Sequence, residues 1–142
     1  MKHLSLILIV LMFNAAACTR SSHQHPHPHD GADSTNDALN EKVLEIHDEV
    51  MAKGDDLYRL KMKLRDSLAN TKNLSAETKE SIESIILGLD SASKAMNKWM
   101  HEFNPNKDSA DQEKSREYFE TEIEKITKIK ALTDEAIERA KK

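Results

Sequence analysis

Long apolar runs, cysteine, glycine and proline are all scarce in this chain of 142 residues, and each scarcity excludes something. The one cysteine, Cys18, rules out an internal disulfide and any multi-cysteine metal site. Three Gly and three Pro are too few for an all-β fold, which needs turn residues about every 8–12 positions. A surplus of positive charge is also missing: 21 Lys and Arg face 25 Asp and Glu, for a net charge of −4. Neutralising a phosphate backbone takes clustered Lys and Arg, so no nucleic-acid partner is expected. The sequence holds no Gly-rich phosphate loop, no Gly-x-Ser-x-Gly elbow and no His-Glu-x-x-His. It therefore offers no catalytic residue and no cofactor-binding motif, and the expected class is not an enzyme. What remains is 38% apolar and 32% charged, a balance that suits solvated helices in a single domain.

The chain opens with a basic Met1-Lys2-His3, then runs apolar from Leu4 to Phe13, interrupted only by Ser5. Spanning a bilayer takes about 20 apolar residues as helix, so this run is too short to cross one. It fits the apolar region of a signal peptide, followed by small residues at a cleavage site. That site reads Ala15-Ala16-Ala17-Cys18. The stretch resembles the lipobox of a bacterial lipoprotein, with Ala15 standing where Leu is commonest. The resemblance covers residues 1–18. It implies a signal peptide over 1–17, removal of that peptide, and diacylation of the Cys18 sulfur. Palmitate or a similar acyl chain would then hold the protein at the membrane, each buried CH₂ contributing about 0.8 kcal/mol. Thr19 follows the cysteine where an Asp would resemble an inner-membrane retention signal, so the implied address is the outer membrane of the cell envelope.

Residues 19–36 contain no large apolar side chain, and such a segment cannot offset its ordering entropy by burial. The lipidated Cys18 and this stretch are expected to form a disordered tether over 18–36, with Pro26 and Pro28 biasing its middle toward extended forms. His23, His25, His27 and His29 alternate along it. Imidazole suits Zn and Cu, and short His-rich tracts take up such ions, so these four are candidate metal ligands.

From Asp37 the pattern turns to long periodic helix. Leu39, Val43, Ile46, Val50, Leu57, Leu60 and Leu64 recur at spacings of four and three, with Lys53 in the skipped slot. Leu44, Met51 and Tyr58 add a second row, which widens the stripe enough to face two partners. Gly54 sits inside this first helix, which should end at the turn Asn70-Thr71-Lys72-Asn73. Ser75 is the expected N-cap of a second helix carrying Ile82, Ile85, Leu89, Ala92, Met96, Trp99 and Phe103. Asn104-Pro105-Asn106 stops it. Ser109-Ala110-Asp111-Gln112 reads as a capping box opening a third helix, with Tyr118, Phe119, Ile123, Ile126, Ile129, Ala136, Ile137 and Ala140 as its stripe. Glu120, Glu122 and Glu124 alternate around it and are expected to be solvated. Short loops make neighbouring helices antiparallel. The expected fold is all-α: three long antiparallel helices in an up-down-up bundle over 37–142. The rival is a long hairpin that completes its core by dimerising.

One constellation points to chemistry. Antiparallel pairing of the first two helices brings His47 and Met51 level with Met96, Trp99, Met100 and His101. Thioether and imidazole groups favour Cu(I), and a Trp face can hold a cation. The competing expectation is ordinary packing, since Met fills gaps in helical cores.

His47-Asp48-Glu49-Val50-Met51 together with Met96-Asn97-Lys98-Trp99-Met100-His101-Glu102-Phe103 resembles a group of small helical lipoproteins of the Bacteroidota, which has no established activity. The resemblance spans residues 43–104 and implies fold and address but no catalytic residue. It also implies O-glycosylation at Asp-Ser/Thr sequences such as Asp33-Ser34-Thr35 and Asp108-Ser109-Ala110. Two function classes follow. One is a lipid-anchored, non-enzymatic module that binds an envelope protein or supports the envelope. The other is an envelope Cu or Zn binder using the tether histidines and the Met/His cluster.

Overall fold

The computed structural model of the chain describes residues 31–142, with side chains from residue 35 onward. Cys18, the four tether histidines and the segment 1–30 lie outside the described residues. Four helices follow in order: α1 (Gly31–Met51), α2 (Gly54–Asn70), α3 (Ala76–Glu102) and α4 (Gln112–Lys141). The described residues contain no strand.

The expected first helix is thus two segments of one rod, α1 and α2, broken at Ala52–Lys53. The Ala52 amide still bonds the Asp48 carbonyl at 3.0 Å, but the Lys53 amide turns tighter, onto the Val50 carbonyl at 3.0 Å. Lys53 holds the heptad slot that an apolar residue would fill. The break lets its amine pair with Asp134 on α4 instead. Gly54 lacks the side chain that would favour continuing the helix.

The rod also starts earlier than expected. Helix begins at Gly31, so residues 31–36, assigned above to the tether, belong to α1. A polar contact holds this turn: Asn36, only 6% exposed, donates from Nδ2 to the Gln112 carbonyl at 3.0 Å and to Gln112 Oε1 at 2.7 Å. No apolar periodicity announces such a contact.

Local signals set the remaining boundaries. Asn73 takes a left-handed φ of 68°, which asparagine tolerates, and closes the α2–α3 turn. The Ser75 hydroxyl caps α3 by accepting from the Thr78 amide at 3.1 Å. The α4 cap sits two residues later than expected, at Asp111, whose Oδ1 accepts from the Lys114 amide at 3.2 Å. The displacement follows from a run of turns after Pro105, which bond Lys107 to Asn104, Ser109 to Asn106 and Asp111 to Asp108. These turns absorb Ser109 before the helix can start.

The bundle is up-down-up. Contacts Asn36–Gln112, Glu49–Lys130 and Lys53–Asp134 advance together, so the α1–α2 rod runs parallel to α4. Trp99–Glu122 and Ser84–Arg139 advance oppositely, so α3 is antiparallel to α4. The break divides the core in two. Val43, Ile46 and Val50 meet Met96, Trp99, Phe119 and Ile126 in one half. Leu57 and Leu60 meet Leu89, Ala92, Ala136 and Ile137 in the other. At about 25 cal/mol per Å² of apolar surface removed from water, these two clusters supply the main driving force. No described helix is long and apolar enough to cross a membrane.

Ion pairs rim both halves. Asp90 receives Lys61 at 2.8 Å and Arg65 at 3.6 Å, and the Lys61 hydrogen bond holds its carboxyl below the ordinary 3.8. Lys130 likewise lowers Glu49, Lys98 lowers Glu102, and Arg116 lowers Glu113. A carboxyl whose folded pKa is depressed stabilises the fold above its unfolded value and loses that contribution as pH falls. The melting temperature should therefore hold near neutral pH and decline as pH drops below the ordinary carboxyl values of 3.8 and 4.5. Thermal melts across that range check this; a melting temperature flat through them would show that the pairs contribute nothing.

Candidate functional site

The richest chemistry lies where α1, α3 and α4 meet. Trp99 is 5% exposed and anchors an aromatic stack. Its ring lies 4.8 Å from Phe103, nearly parallel, and Phe103 in turn lies 6.2 Å from Tyr118. The Tyr118 hydroxyl accepts from the Asn104 amide at 2.8 Å, tying the stack to the α3–α4 loop. The indole Nε1–H donates to Glu122 Oε2 at 2.7 Å. Glu122 is 3% exposed, so it is not part of the solvated face expected of it. Its other oxygen accepts from the Lys125 amine at 2.7 Å, and that bond holds the amine above the usual lysine range. A signal was present: Phe119, Glu122 and Ile126 share the three-then-four spacing of a core row.

The Met/His constellation is only partly assembled. His47 does reach Trp99, at 5.9 Å between ring centroids, and its Nδ1 bonds Asp48 Oδ1 at 2.8 Å. Met96 is buried among Val43, Ile46, Val50 and Trp99. Met100 packs against the edge of that cluster. Met51 and Met96 line one cavity of about 160 Å³, beside Gly54, Ser93 and Asn97. His101 stands apart, exposed in the last turn of α3. Among the described residues, no three His, Cys, Asp or Glu side chains converge on a point that could hold a metal ion. Met96→Leu conserves volume and apolarity, so stability should change by less than about 1.5 kcal/mol. A copper site through Met51 and Met96 would instead give a Cu(I)-dependent rise in melting temperature that Met51→Leu/Met96→Leu abolishes. We expect no such rise in the wild-type chain once His23, His25, His27 and His29 are replaced by Ser.

At the loop end, Asn36, Asp37 and Asn40 of α1 face Asn106, Ser109, Gln112 and Ser115 across a polar cavity of about 150 Å³, roomy enough for water. On the other flank, Lys98, Lys125 and Lys128 surround a groove of about 290 Å³ over Trp99 and Ile129. Each of these lysines already pairs with a glutamate on its own helix, which blunts the groove as an anion site.

The second apolar row differs most from expectation. Leu44, Met51 and Tyr58 are 43%, 46% and 63% exposed. The rod packs chiefly on α4 through α1, and α3 meets it mainly through α2, so the row looks outward. With Met62, these make four of the six large exposed apolar side chains among the described residues, all on the rod.

No protein-family model, curated protein or solved structure matches this chain.

Proposed function

We propose that this protein is a lipid-anchored helical module of the cell envelope, acting by binding and not by catalysis. The observation that carries the binding half is the exposed row Leu44, Met51 and Tyr58, which lies outside both buried clusters of the bundle. Water-exposed apolar side chains aligned along one rod favour a macromolecular partner. The anchoring half is supported by the sequence alone: the apolar run Leu4–Phe13, then Ala15-Ala16-Ala17, then the sole cysteine.

Cys18→Ser tests the anchor. Only a thiol forms the thioether to diacylglycerol, so this variant should take up no labelled palmitate and should accumulate as an unacylated precursor that keeps residues 1–17. Wild type should do the reverse. A Cys18→Ser chain that is still processed after Ala17 and still acylated would overturn the reading. Loss of two or three acyl chains removes many CH₂ groups at about 0.8 kcal/mol each, so the expected change is near-complete.

A further inference from the structure

Taken every seventh residue, one face of the rod reads Asp37, Leu44, Met51, Tyr58 and Arg65. Val43, Val50 and Leu57 are buried at this same seven-residue interval on both sides of the Ala52–Lys53 break, so the row one residue further on keeps its face as well. All five are exposed. The sequence is symmetric in character: acid and base at the ends, apolar between, with Met51 at the centre.

We infer that the protein forms a two-fold symmetric homodimer in which the α1–α2 rods of two copies lie antiparallel about Met51. Met51 packs on Met51 of the second copy, and Leu44 on the second copy's Tyr58. Asp37 meets the second copy's Arg65, whose link to Asp90 within its own chain is a long 3.6 Å. Each contact occurs twice, as an isologous interface requires. The parallel alternative sets Asp37 on Asp37 and Arg65 on Arg65, which like-charge repulsion disfavours. The stripe from 37 to 65 is about 42 Å long at 1.5 Å per residue.

Cysteine cross-linking decides this, using the full chain in mild detergent with Cys18→Ser so that each introduced cysteine is the only thiol. Under gentle oxidation Met51→Cys should form a disulfide dimer efficiently. Leu44→Cys and Tyr58→Cys should each cross-link poorly alone but well when mixed, because each faces the other across the two-fold axis. Leu87→Cys, exposed on α3, is the background control. Arg65→Asp should weaken the dimer several-fold in sedimentation, and Asp37→Arg/Arg65→Asp should restore it. All positions are exposed, so helical circular dichroism should be unchanged in every variant. Cross-linking no better than Leu87→Cys, or Leu44→Cys linking to itself as well as to Tyr58→Cys, would overturn the proposal. These readouts do not depend on acylation, so a failed anchor and a failed dimer are told apart.

Discussion

Trp99→Ala should lower the stability of the bundle by about 3–5 kcal/mol, the range for removing a large buried aromatic side chain. Two losses combine. The core of Val43, Ile46, Val50, Met96, Phe119 and Ile126 loses its largest member. The Glu122 carboxylate, 3% exposed, loses the indole donor and keeps only Lys125. A small domain is typically stable by about 5–15 kcal/mol, so a large share of the total would go. Urea unfolding followed by helical circular dichroism measures the change; fluorescence would not serve, since the variant removes the only tryptophan. An unchanged midpoint would mean that Trp99 does not pack as described.

Glu122→Ala should cost about 1–3 kcal/mol, a large effect for deleting a charged residue. The physical cause is the group left behind: a buried indole N–H with no acceptor. That cause makes a sharper claim about a pair of substitutions. Trp99→Phe removes the donor and keeps a ring against Phe103, while Glu122→Leu removes the acceptor and keeps bulk. Together they leave neither polar group buried alone, so the double variant should be more stable than the two single losses predict. A coupling of about 1–3 kcal/mol is expected between residues in direct contact. Strict additivity would show that the Trp99–Glu122 hydrogen bond contributes nothing.

The sequence carried much of the architecture because its strongest signals are periodic. Val43-Ile46-Val50, Leu89-Ala92-Met96-Trp99 and Phe119-Ile126 each mark a buried face at helical spacing, and they are buried. Ser75 was readable as a cap because a hydroxyl before a helix satisfies an otherwise orphaned amide. Contacts that break hydrophobic logic were not readable. Asn36 extends α1 through hydrogen bonds to Gln112, and a polar residue in a His-rich stretch gives no warning of burial. Glu122 hid in a run of alternating glutamates, although its spacing matched the core row. The outward turn of Leu44, Met51 and Tyr58 depends on which helices pack closest. Periodicity shows that a residue can be buried, but a helix pair must come close enough to bury it.

The parallel run of the α1–α2 rod beside α4 has a mechanical consequence. Helix α1 begins at Gly31, and α4 ends at Lys141 near the opposite end of the bundle, about 45 Å away along a helix of 30 residues. Tension applied between those two points pulls α1 and α4 past each other lengthwise. The Asn36–Gln112, Glu49–Lys130 and Lys53–Asp134 contacts and the shared core then resist together, in shear. A two-helix hairpin, with both ends on one side, would peel open one contact at a time. Under such a pull this topology therefore loads its α1–α4 contacts together, where a hairpin would load them in turn.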